Sequence, residues 1–152
     1  MPARPEQRGS TLLLFPAALL IMVALAAITV DSAIAFQAQR QLANATAAAA
    51  NDAATQALSD SAFYHDNRIQ LSAADVETIA AGRVRSLVDQ TRHHGLTVRA
   101  TATAAGACAW TVTVTASSHV DQLFGKAMPG SSGLVAVRAT STASPRQTAT
   151  SC

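Results

Sequence analysis

Residues 12–30 read LLLFPAALLIMVALAAITV, nineteen positions without a charged side chain. At about 1.5 Å rise per residue such a helix is roughly 28 Å long, close to the hydrocarbon thickness of a bilayer. Residues 31–58 continue as DSAIAFQAQRQLANATAAAANDAATQAL, with no Gly or Pro and with Ala the commonest residue. Ala is the best helix former, so the two stretches are expected to join in one helix, half in lipid and half in water. The rest of the chain reads as a small head on that stalk.

Working outward, residues 1–9 form a short polar leader in which Arg4 and Arg8 oppose Glu6. Beyond the apolar run comes Asp31, with no positive residue before Arg40. This bias places the N-terminus in the cytoplasm and the chain after Asp31 outside. Asp31 reads as a marker of the membrane–water boundary, where a helix-end charge costs little, rather than as a proton relay. Pro16 falls early in the run, where a membrane helix tolerates it. A rival reading is a cleaved signal peptide, since Ala33-Ile34-Ala35 is an A-x-A pattern that would leave Phe36 as the new N-terminus. Against it, the apolar run exceeds the usual h-region of roughly 7–15 residues, and helix propensity runs through the cut site.

With the stalk set aside, the 152 residues leave about one small domain. Aromatics at 4% and charged residues at 13% leave few large side chains for a core, so the head's own stability is expected to be modest. The net charge of +2 comes from scattered arginines, without the clustered basic residues that nucleic-acid binding requires. Cys108 and Cys152 are the two cysteines, in no metal-type spacing; outside the cytoplasm a disulfide between them is chemically allowed and would tether the C-terminal tail.

In the stalk, Ile34, Phe36, Ala38, Leu42, Ala45, Ala49, Ala53 and Leu58 mark one weakly apolar side. Small side chains there let helices of other subunits approach, or let the protein's own sheet pack on it. A polar turn follows at Ser59–Asn67, with Phe63 and Tyr64 seating it against the head. Ser72 offers an N-cap with Asp75 three residues on, and Val76, Ile79, Ala80, Val84, Leu87 and Val88 share a helical face. Gly82 weakens that helix, and Gly95, after His93-His94, is expected to end it. The pattern then switches to period two. Leu96, Val98, Ala100 and Ala102 form one apolar face, and Trp110, Val112, Val114 and Ala116 another, each alternating mainly with Thr. Residues 119–126 are expected to be a helical or irregular link after Ser117-Ser118, broken by Pro129-Gly130 and Gly133. Val135, Val137 and Ala139 mark a third strand, before a polar tail. The expected architecture is α+β and pilin-like: a long N-terminal transmembrane helix, a second helix and a small antiparallel β-sheet. Its expected divisions are a leader at 1–9, the membrane helix at 10–31, its extracytoplasmic continuation at 32–58, the head at 59–143 and the tail at 144–152.

Arg8-Gly9-Ser10 before an apolar run with Phe15-Pro16 near its start, Thr29-Val30-Asp31 closing it, and then residues 41–49, QLANATAAA, resemble the N-terminal region of TadE/TadG-like pilus-assembly proteins, chiefly the actinobacterial type. The third of the chain that carries the resemblance does so compositionally. The order strand, Leu123-Phe124 link, Pro-Gly, Ala/Thr-rich strand is similar to the family's C-terminal part. The resemblance implies a membrane protein of a Flp (tight adherence) pilus or secretion apparatus, with the apparatus or further copies of itself as partners. It also implies a prepilin-peptidase site between Gly9 and Ser10, with Phe15 at the sixth position after the cut. The fifth position, Glu in such prepilins, is Leu14 here, which favours an uncleaved anchor.

No catalytic constellation is legible. Ser, His and Asp lack a GxSxG setting, and there is no phosphate loop, dinucleotide fingerprint or HExxH. His65, His93 and His94 are the only metal candidates. Adjacent residues on a helix diverge by about 100°, so His93 and His94 read as a solvated helix-terminal pair rather than joint ligands. His119 reads as surface, and Trp110 as a sheet anchor. The expectations are therefore no enzyme, no cofactor, no metal, no nucleic acid and no small-molecule substrate, with a membrane and an assembly as partners.

Overall fold

A computed structural model describes residues 10–57, 71–104, 109–127 and 130–145. Gly9, the turn at Ser59–Asn67 with His65, and both Cys108 and Cys152 lie outside the described residues.

The two N-terminal stretches form one uninterrupted helix, α1 (Ser10–Gln56), of 47 residues with Pro16 inside it. It is about 70 Å long. From Leu14 to Val30 its side chains are bare apart from a half-buried Ala27, with Leu14, Phe15, Leu20 and Met22 all more than 60% exposed. The helix is long and apolar enough to cross a membrane. Beyond Asp31 the same helix becomes the spine of the head. Ala38, Leu42, Ala45, Ala49, Ala50, Ala53, Ala54 and Ala57 are all buried, and Thr46 joins them by donating its hydroxyl to the Leu42 carbonyl at 2.6 Å. Small side chains let α1 lie close on its neighbours, so the Ala face packs against the protein's own sheet and second helix. Phe36 departs from the expected face. It is 62% exposed, with the Arg40 guanidinium 6.0 Å from its ring centre.

The second helix, α2 (Ala73–Leu87), starts as its sequence dictates: the Ser72 hydroxyl accepts the Asp75 amide at 3.4 Å. Val76, Ala80 and Val84 are fully buried against α1 and the sheet, whereas Leu87, expected on that face, is 40% exposed. Arg83 bridges to Asp52 of α1 at 2.7 Å. The helix stops at Leu87, earlier than Gly95. The Val88 amide still bonds the Val84 carbonyl, and Asp89 then turns the chain by accepting the Thr91 amide and hydroxyl.

Three strands, β1 (His93–Ala104), β2 (Trp110–Asp121) and β3 (Leu134–Ala143), pair antiparallel in the order β1-β2-β3. Both helices lie on one face, α1 over β2 and β3, α2 over β1. Val112, Val114, Ala116, Val120, Val137 and Ala139 point into that layer. The other face is wet and Thr-rich, with the Thr115–Thr140 and Thr97–Ser117 hydroxyls paired across strands at 3.1 and 2.8 Å. Three expectations are corrected. His93 and His94 belong to a strand, and residues 119–121 continue β2 where a link was expected, because Ser118 and Val120 extend the inward alternation. Gly95, at φ 61°, marks a register irregularity in β1 instead of a helix end. His93 and Leu96 both face inward but stand an odd number of residues apart. One extra residue must be absorbed between them, and Gly takes the left-handed conformation that does so.

The edge of β3 is closed by α1. The Gln39 amide nitrogen donates to the Arg138 carbonyl at 2.6 Å, and the Arg138 N–H donates back to Gln39 Oε1 at 3.2 Å. One side chain thereby imitates a neighbouring strand, which blunts the edge against pairing with another chain.

Candidate functional site

Polar groups gather at the end of the sheet nearest the apolar half of α1. Asp31, 7% exposed, is the first of them. Its Oδ1 accepts the Leu123 amide at 2.7 Å and the Phe124 amide at 3.1 Å, and Oδ2 accepts the Phe124 amide at 3.2 Å. The carboxylate therefore caps, from a helix some ninety residues earlier, the turn that leads into the short 3₁₀ segment Gly125–Ala127. Two consecutive amides held by one carboxylate are charge-assisted bonds in a partly buried place, where they are strongest. Asp31, expected as a marker of the boundary, latches the Leu123–Phe124 turn of the head onto α1.

Beside it, His93 is 3% exposed and its Nδ1 lies 2.8 Å from the Ser118 hydroxyl, itself 1% exposed. Nε2 of His93 has no hydrogen-bond partner. Burial pushes the imidazole below its ordinary value, against the nearby Asp89 carboxylate, which pulls it up. A space of about 100 Å³ adjoins it, lined among others by Ile34, Gln37, Gln41, Arg92 and His93. Its size and polarity leave room for hydration of the imidazole. The Ser–His contact is a packed pair inside the core. No acyl carbon can reach the Ser118 hydroxyl without the strand opening, and the carboxylate of a Ser-His-Asp arrangement does not lie on the free imidazole nitrogen.

His94 points to the opposite, wet face. Its Nε2 is 2.7 Å from Asp121 Oδ2, while Lys126 Nζ is 2.7 Å from Asp121 Oδ1. Lys126 first and His94 second hold the Asp121 carboxyl below its usual range. The two adjacent histidines thus diverge, as expected, but because strand neighbours alternate faces rather than because a helix turns them apart. Among the described residues no three His, Cys, Asp or Glu side chains are grouped to hold a metal ion. His119 is exposed, opposite His94 in the ladder, and Trp110 is half-buried at the far end of β2. Ser10 begins α1; its expected partner in processing, Gly9, is outside the described residues.

Asp31 was legible as the carboxylate that closes the apolar run of α1, but nothing local to it names residues 123 and 124 as its partners. Ser118 carried one signal, its place in the inward alternation Val112, Val114, Ala116, Ser118, Val120. No known protein family, curated protein or solved structure matches the chain.

Proposed function

We propose that this chain is a single-pass, N-in membrane protein with a pilin-like extracytoplasmic head, a structural or assembly component of a Tad/Flp-type pilus or secretion apparatus of the kind its resemblance to TadE/TadG-like proteins implies. The observation that carries this reading is α1 itself. One helix is bare and apolar from Leu14 to Val30, then without a break supplies the buried Ala face on which the head is built. A head so joined cannot swivel independently of its anchor. Movement of the membrane segment during docking or extraction would be passed on as rigid-body movement of the sheet. Because the Ala face beyond residue 38 is covered by the chain's own sheet, contacts between neighbouring helices fall to the apolar half and to the exposed side carrying Phe36 and Arg40.

The rival is a binding module released by cleavage after Ala35, for which the open Thr-rich sheet face speaks. That cut would remove Asp31 and so release the Leu123–Phe124 turn. Sequencing the N-terminus of the protein from fractionated cells decides between them. Met1 in the membrane fraction supports an uncleaved assembly component. Ser10 supports a processed pilin-like subunit despite Leu14. Phe36 in the soluble fraction overturns the anchor.

A further inference from the structure

The turn capped by Asp31 is apolar and uncovered. Leu123 is 66% exposed and Phe124 42%, and Leu134, paired with Asp121 at the same end of the sheet, is 41% exposed. Their position is fixed by the hydrogen bonds to Asp31, the residue at which the bare apolar surface of α1 ends. From Leu14 to Val30 that surface is roughly 25 Å long, close to a hydrocarbon thickness. Leu123 and Phe124 therefore stand at the level where the acyl chains give way to headgroups.

We propose that the Leu123–Phe124 turn is a second membrane-inserting element, so that the head rests on the lipid surface at two points, α1 and this turn. The inference rests on reading α1 as a membrane anchor. Backbone groups entering a poorly hydrated layer must already be satisfied. Here the Leu123 and Phe124 amides are taken by Asp31, the Phe124 carbonyl accepts the Ala127 amide at 2.9 Å, and the Gln122 amide is taken by the Gly133 carbonyl at 2.8 Å. The turn thus presents its side chains outward with these main-chain groups already paired. Lys126, 60% exposed along its side chain, follows two residues later with its ammonium held by Asp121 at 2.7 Å, so the charge beside the turn is already paired. The patch is bonded to Asp31, where the apolar half of α1 ends, and that adjacency points to lipid as the occupant. A face meant for a soluble partner has no reason to lie at that level.

The test places a tryptophan at three positions of the full chain, reconstituted in phosphatidylcholine vesicles whose acyl chains are brominated near the carbonyl end. Trp110 lies at the opposite end of β2, about 36 Å along the strand from Asp121, and supplies a constant background. Leu25→Trp reports the anchor, Leu123→Trp the turn, and Thr142→Trp an exposed site toward the far end of the sheet. The expected result is loss of emission on bromination for Leu25→Trp and Leu123→Trp, with a blue shift of the latter, and none for Thr142→Trp. Loss for Leu25→Trp alone overturns the turn's insertion and leaves the anchor standing. No loss for either Leu25→Trp or Leu123→Trp overturns both. Loss for Leu123→Trp and Thr142→Trp alike also overturns it, since the whole head, not the turn, would then lie in lipid.

Discussion

Replacing Asp31 by Ala removes the acceptor of two amides at once. The carboxylate is 7% exposed, so water does not readily take its place. A hydrogen bond to a charged group contributes about 1.5–3 kcal/mol, and two such bonds at the lower figure give about 3 kcal/mol for closure of the turn. At 1.4 kcal/mol per tenfold, amide hydrogen exchange at Leu123 and Phe124 should accelerate by roughly a hundredfold. Asp31→Asn keeps one acceptor oxygen without the charge and should show roughly a tenfold rise. The assay is exchange measured residue by residue on the full chain in detergent micelles, with the Val114 amide of the central strand as the internal reference. Unchanged exchange at Leu123 and Phe124 in Asp31→Ala would refute the latch. An equal rise at Val114 would refute it as well, by showing that the head had loosened as a whole.

Other expectations follow from the same packing. Leu42 is the largest fully buried side chain of α1, so Leu42→Ala should lower unfolding stability by about 2–5 kcal/mol, whereas Phe36→Ala, on the exposed side, should stay within about 0.5 kcal/mol; urea titration in micelles compares them. Ala49 has no exposed surface in the helix–sheet contact, so Ala49→Leu should destabilise by about 1–3 kcal/mol through overpacking, read in the same titration. Gly95→Ala puts a side chain at φ 61° and should cost about 1–2 kcal/mol, visible as a lower midpoint. Burial holds His93 below its ordinary value, so the unfolded chain binds the proton first as pH falls. Its contribution is complete above about pH 6.5 and is lost as pH falls from there toward the folded-state value, at no more than about 1.4 kcal/mol per pH unit. His93→Gln should flatten that part of the stability–pH curve, and an unchanged slope would count against the buried neutral imidazole.

The sheet's strands illustrate what was readable and what was not. Leu96 to Ala102 and Trp110 to Ala116 alternate cleanly, because each residue's face follows from the two-residue period of a strand. The same logic extended through Ser118 to Val120, but two serines and a histidine look like a loop when judged by residue type. His93-His94 before Gly95 looks like a helix end for the same reason. Only the ladder shows that Gly95 absorbs a register step and that His93 has crossed into the core.

By itself the sequence determined the helix, its apolar half, the Ala face, the α2 cap at Ser72 and the period of all three strands. Each is a property of neighbours along the chain, set by propensity and side-chain spacing. The tertiary structure alone decided which surface covers the Ala face, that Gln39 closes the β3 edge, that His93 meets Ser118 and that Asp31 holds Leu123 and Phe124. These pairings join groups from 25 to 99 positions apart. A lone carboxylate or amide has many partners that would satisfy it equally well, and only the packing of helix on sheet brings one particular pair within hydrogen-bond distance.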